Sequence, residues 1–529
     1  MSRKFSRWRE RKLNNMVSTA IITDKIFQKL IAKRAMILLG LARHIRQCQS
    51  DKEIMIRPLM GPLLSQSAQI EELLDEYGAG SNCEWCAFRS LTAVIKLFSD
   101  VSYELLHIKY SLPTYRLLPI GQDFMKATEK TLEFTVDVLR RASNQILAKA
   151  EQLDLPVPSQ RLREESYTEE LPPGCLEHHC QTRRIETVAE MVTLLTTAFL
   201  NLAVESEDVR AASRAKPEDY VSCVLDSVSE KKLRSLELRF HNLQSLYDTY
   251  VSGTEAAQLD TDLPVLRGHI SVVFHLLKTA TLFVHHYERH VNKQPCDSPG
   301  RQEPIVKAEV LLDVLMKYSV THINLFIDCA EHLCHEMLKR YAEVGEIEVP
   351  VPPYRGFHVR PSTLIAKLVL HYGSQIQMQM DGEVYDASSP LGMFRANEKI
   401  NAQKRRWLAA EIVRLKLLQD QNGQSDINAM VREIVLMLAG RSKLILYEQP
   451  LGLPEEPARS QGTLLEKVID EIARLLAMGK IDVEVKLKAK FIGDKRVLAD
   501  IKLLAESGYG EDNFGNNVPL PEKLAYLRR

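Results

Sequence analysis

The hydrophobic periodicity of this chain changes at Gly345, and that change limits its fold more than any other feature. From residue 16 to about 343, apolar residues recur at the three-to-four spacing of one helix face. The stretches "DKIFQKLIAKRAMILLGLARHI", "CAFRSLTAVIKLFSDVSYELL", "ATEKTLEFTVDVLRRASNQILAKAEQL" and "LRGHISVVFHLLKTATLFVHHYERHV" show it well. The breaks carry turn residues, as in "SLPTYRLLP", "ELPPGC" and "KQPCDSPG". A proline-rich stretch near 154–182 marks a second division within the helical region. No period of 20–50 residues repeats, so long amphipathic helices in one or two antiparallel bundles are expected, not a solenoid.

Beyond Gly345 the period drops to two. "EIEVPVPPY" alternates and contains prolines, as an edge strand does. "QIQMQM" and "EVYDA" flank Asp-Gly, a strong hairpin signal. The order over 346–387 is therefore strand, loop, helix, strand, tight turn, strand. A long helix follows from Pro390, then the helix "INAMVREIVLMLAG", the strand "SKLILYE", the helix "TLLEKVIDEIARLLAMG" and the alternating "KIDVEVKLKAKF". The expected fold is α+β overall: a large all-α region over 1–345, an α+β domain over 346–480, and an extension over 481–529 with a strand, a helix and an irregular end.

Lys+Arg and Asp+Glu both number 69, so no global field favours nucleic acid or an acidic membrane. Nine cysteines scattered through 529 residues, behind a start without an apolar signal region, read as reduced thiols of a cytoplasmic protein. The longest apolar runs fall short of a membrane span, so no membrane insertion is expected.

Within the second region, "YRGFHVRPSTLIAKLVLHYG" places His358 directly ahead of a helix start. Pro361 suits a first helical turn, where its missing N–H would be unpaired anyway. Free backbone N–H groups and the positive dipole end make such a start an anion site. Arg360 adds a guanidinium fork suited to phosphate oxygens, and Gly356 permits an unusual backbone angle in the approach. A neutral imidazole nitrogen attacks phosphorus readily and leaves readily.

"GFHVRPST" resembles the active-site signature of the histidine-containing phosphocarrier protein (HPr) of the bacterial phosphotransferase system. The hairpin and "SSPLGMF" after it are similar to that family as well. The resemblance implies an open-faced β-sandwich, here with inserted helices. It implies that His358 accepts a phosphoryl group, Arg360 stabilises it, and Enzyme I or another phosphotransferase-system protein is the partner. It also implies a regulatory serine at Ser389. The residues themselves make Ser389 a helix N-cap, because Pro390 follows it. "SKLILYE" and "TLLEKVIDEIARLLAMG" would be the family's fourth strand and third helix. The helix following Ser389 is much longer than the family's, which suggests regulation rather than bulk sugar uptake. A second reading keeps the fold as an interaction or scaffold module without the chemistry.

A third reading is a metal-binding helical protein. Cys83 and Cys86 in "CEWC" and Cys175, His178, His179 and Cys180 in "CLEHHC" are ligand types that zinc takes. Separate thiols are the plainer reading, and no cofactor is required. His285, His286 and His290, with Cys329, His332, His335 and Glu336 on the next helix, form another Cys/His group; a polar helix surface or an interhelical hydrogen-bond cluster is the plainer reading. "NAQKRRWLAAEIVRLK" is a basic stripe with one tryptophan, expected as a solvated helix face rather than a nucleic-acid surface.

Overall fold

Apolar residues at helical spacing become helices wherever turn chemistry does not intervene. The computed structural model describes residues 21–158, 187–291, 304–416, 426–448, 450–453, 463–483 and 487–528. Its longer helices in the first half are α1 (Asp24–Arg34), α2 (Met36–Gln47), α3 (Arg57–Glu76), α4 (Cys86–Ser111), α5 (Phe124–Gln152), α6 (Val188–Glu205), α7 (Glu230–Tyr250), α8 (Asp262–His286) and α9 (Thr321–Arg340). In the second half they are α10 (Val359–His371), α11 (Pro390–Arg414), α12 (Ile427–Gly440), α13 (Leu464–Ala477) and α14 (Lys495–Glu506). The strands are β1 (Val344–Pro350), β2 (Gln377–Met380), β3 (Glu383–Asp386), β4 (Ile445–Leu446), β5 (Ile481–Asp482) and β6 (Lys488–Asp494).

The chain forms two compact units: 1–182, 206–245 and 264–329 in the first, and 183–205, 246–263 and 330–529 in the second. The periodicity break at Gly345 is thus not the unit boundary. The end of α9 belongs with the second unit, where Tyr341 donates to Asp260 Oδ2 at 2.9 Å and Arg340 pairs with Asp262 at 2.7 Å.

The first unit is a helical bundle in which α4 packs between α3 and α5. Asp123 caps α5 by accepting from Lys126 N, and Leu132, Val136, Leu139, Ile146 and Leu147 turn one stripe of α5 into the core. Burying each such side chain contributes roughly 1.5–3 kcal/mol.

In the second unit, four antiparallel strands run in the order β1-β6-β2-β3. Val349, Met378, Met380, Tyr385, Ala489 and Phe491 are buried, while Glu346, Glu348 and Lys488 stay exposed. The exposed residues pair across strands, Glu346 with Lys490 at 2.6 Å and Glu348 with Lys488 at 3.5 Å. Asp381 and Gly382, with φ of 50° and 78°, make the hairpin between β2 and β3. Ser389 caps α11, accepting from Gly392 N at 3.2 Å.

One expected assignment is corrected. "SKLILYE" is not the fourth strand of this sheet: β4 pairs with β5 in a separate two-stranded sheet, and the strand inserted between β1 and β2 is β6. The helix after that strand is α14, not α13. The segment over 481–529 therefore completes the sheet instead of extending it. The reason is packing: α12, α13, β5 and the end of α11 share their own core, built on Leu408, Ile412, Ile434, Val468, Ile472 and Ile481. Two helical stretches, Val188–Glu205 and Ala308–Arg340, are long and apolar enough to cross a membrane by length and composition, where the sequence reading expected none.

Candidate functional site

The loop from β1 to α10 cannot follow an ordinary path. Arg355 and Gly356 take φ of 54° and 66°, and a Cβ on Gly356 would run into Asn397 Oδ1. Three elements far apart in sequence hold this turn. Arg355 N donates to Asp482 Oδ2 at 3.0 Å, and Asn397 of α11 donates to the Arg355 carbonyl at 3.1 Å. The Arg355 side chain reaches the Ala477 carbonyl at 3.5 Å. Asp482 is itself fixed by Lys404 Nζ at 2.6 Å and by Val483 N at 2.7 Å. Lys404 and Asp482 are 4% and 1% exposed, so neither charge has water to replace its partner.

His358 is the N-cap residue of α10, with φ −76° and ψ −168°, and its ring makes no capping bond. Ser362 instead accepts no capping role but donates to the Phe357 carbonyl at 2.8 Å, and Phe357 is fully buried. The imidazole is engaged elsewhere. Its Nε2 lies 2.7 Å from Glu511 Oε2, and Tyr354 meets the ring edge-on with centroids 5.3 Å apart. Arg360 Nε is 4.0 Å from the other Glu511 oxygen. The side chains of His358 and Arg360 are 20% and 35% exposed, that of Glu511 only 7%. A carboxylate can only accept, so in the neutral ring this contact places the proton on Nε2 and the lone pair on Nδ1. Such an arrangement can present a nucleophilic nitrogen beside a helix start and a guanidinium.

The sequence placed His358, Arg360 and Pro361 correctly at a helix start, and the structure brings the first two together with Glu511. Glu511, Asp482, Lys404, Asn397 and Tyr354 escaped sequence reasoning. The one local signal was "GYGEDNFGNN", whose glycines mark a turn with unusual backbone angles. The basic stripe is corrected: Lys404 is buried on Asp482 and Trp407 packs against the α12–α13 core, leaving Arg405 and Arg406 exposed.

The expected metal ligands fall only partly within the described residues. Cys83 is exposed and Cys86 half-buried at the start of α4, while Cys175 and Cys180 lie outside the described residues. No group of three His, Cys, Asp or Glu suited to a metal occurs among the described residues. His285 Nδ1 meets Glu230 at 3.0 Å, and His286 stacks on His290 with centroids 5.4 Å apart. His335 Nε2 lies 3.0 Å from the His371 carbonyl, Glu336 takes Lys339 at 2.7 Å, and Cys329 donates weakly to the Pro119 carbonyl at 3.9 Å.

No family model, curated protein or solved structure matches this chain.

Proposed function

We propose that this protein is a phosphoryl-accepting carrier or phosphorylation-dependent regulator of phosphotransferase-system type, with His358 as the acceptor. The observation that carries the reading is the His358 imidazole at the start of α10, engaged at Nε2 by Glu511 and flanked by Arg360. Support comes also from the element order around it: strand, helix, hairpin, helix, strand, helix, with β6 and α14 as the last two and α12 to β5 as an insertion. This order agrees with the one the HPr resemblance implies, and the exposed, charge-paired side of the sheet supports an open face.

The proposed reaction gives each of these residues a step. The Nδ1 lone pair attacks the phosphorus of a phosphorylated donor protein of Enzyme I type in the cytoplasm. The donor's bond to phosphorus breaks, and its atom keeps the electron pair. The ring becomes a phosphoimidazolium whose Nε2–H remains on Glu511. Arg360 and the α10 N–H groups face the phosphoryl oxygens. Transfer onward reverses these steps, with the N–P pair returning to Nδ1.

Incubation with Enzyme I and labelled phosphoenolpyruvate tests this. Label should be acid-labile, base-stable and absent from His358→Ala. Label that persists in that variant moves the site elsewhere. A wild type that takes no label, while partner capture still depends on residues 354–396, favours the interaction-module reading.

A further inference from the structure

We infer that Glu511 is the positioning residue of the His358 centre, and that the clamp formed by residues 508–518 is part of the site; this rests on the reading of His358 as acceptor. The backbone ahead of Glu511 is the first argument. Gly508, Tyr509 and Gly510 stand in succession at φ of 71°, 57° and 73°. For tyrosine that conformation is unfavourable, because its Cβ crowds the following carbonyl oxygen. It is held because Tyr509 is buried, donates to the Pro350 carbonyl at 2.6 Å and sets its ring against Phe357, 6.1 Å between centroids. A backbone strained in this way and anchored to both ends of the His358 loop delivers one side chain, Glu511, onto one ring nitrogen.

The second argument is closure. Glu511 pairs with Asn517 across the clamp, and Val518 N donates to the Gly510 carbonyl at 3.0 Å. Asp512 accepts from Phe514 N and Asn516 N, each at 2.8 Å. Gly515 lies so close to the Tyr354 ring that a Cβ would overlap it. Tyr354 in turn touches His358. The clamp thus fixes the imidazole from its edge and from its protonated nitrogen at once.

The third argument is electrostatic. A carboxylate as buried as Glu511 needs partners for its charge. Its partners here are a histidine and an arginine, and neither is remote from the chemistry. When Nδ1 bonds phosphorus, the ring gains positive charge, and Glu511 stabilises that charge without moving, as an orienting carboxylate does behind a catalytic histidine.

Potassium phosphoramidate serves as the probe, because it needs no partner protein. Nδ1 forms the new N–P bond and ammonia leaves with the electron pair of the old one. Labelling is followed by phosphorus NMR, and the tautomer of His358 by nitrogen NMR of the unphosphorylated, histidine-labelled chain, with His358→Gln assigning the signal. Wild type should show one tautomer, protonated at Nε2. Glu511→Gln should mix the tautomers and slow labelling about ten-fold or more, and Glu511→Ala slow it up to about 100-fold. Glu511→Asp should recover part of the rate. Circular dichroism checks that each variant is folded. Equal rates and one tautomer in wild type and Glu511→Gln would overturn the inference. Faster labelling in Glu511→Gln would also overturn it, making Glu511 a plug over the site. A chain that takes phosphoryl from phosphoramidate but never from Enzyme I contradicts the proposed function and leaves Glu511 in its role. A chain labelled by neither refutes the acceptor reading, and the tautomer comparison still decides Glu511.

Discussion

The two units spend their buried polar groups differently. In the helical unit these groups answer one another inside the bundle. His275 Nδ1 lies 2.6 Å from Glu104 Oε2, and Lys278 reaches the other oxygen at 2.5 Å. In the α+β unit, Asp482, Asn397 and Glu511 come from three separate segments and all end on the short stretch 354–358. A bundle can satisfy a polar residue with a neighbour on the facing helix, so its network closes on itself. The α+β unit also closes pairs locally, as at Asp494 and Asp500, but it sends three polar side chains to one loop, beside the half-buried imidazole and the Arg360 guanidinium. Buried polarity marks a candidate site where it converges on a surface residue, and structure where it does not.

Acid should separate the two units most strongly. Burial lowers His269 to about 4, against the pull of the Phe326 carbonyl, and lowers His286 to about 3 and His290 to about 4, with neighbouring positive charge adding to both. These three belong to the helical unit. In the α+β unit burial, then His335, lowers His371 to about 4. A histidine held neutral in the fold contributes full stability above its unfolded value of about 6.5, and that stability is lost as pH falls from there through the folded value. At pH 5 each should cost about 2 kcal/mol. Hydrogen exchange between pH 7 and 5 should therefore loosen peptides of the helical unit first. Equal loosening of both units would break the comparison.

Next in size is the buried Lys404–Asp482 pair. Lys404→Met leaves Asp482 without its cation and should destabilise the α+β unit by about 3–5 kcal/mol in denaturant melts. Since Asp482 also holds Arg355 N, phosphoryl acceptance at His358 should slow as well. Glu104→Gln in the helical unit should lower stability with no change in the His358 rate. A changed rate in Glu104→Gln would blur the distinction.

Arg360→Lys should keep charge and fold but slow acceptance from Enzyme I about ten-fold or more, since a point charge does not replace a two-pronged guanidinium. Unchanged transfer would remove Arg360 from the mechanism. The smallest effect belongs to Ser389. Losing its bond to Gly392 N in Ser389→Ala should cost about 1 kcal/mol by thermal melting. Efficient phosphorylation of Ser389 by a serine kinase of the phosphotransferase system would show a role beyond capping.

What was legible in the sequence was local. The helices of the first unit follow from apolar spacing, the β2–β3 hairpin from Asp-Gly, the α10 start from Pro361, and the Ser389 cap from Pro390. Each depends on residues within a turn or two of one another, and short-range sterics and hydrogen bonding act on that scale. Tertiary structure alone decided which strand enters the four-stranded sheet. "SKLILYE" and "KIDVEVKLKAKF" both read as strands, and only the separate core of α12 and α13 draws β4 away and leaves β6 to pair with β1 and β2. It also decided the partners of His358. Glu511 stands 153 positions away and Asp482 is 127 positions from Arg355. No periodicity spans such separations, because contacts of that range exist only after the elements between them have packed.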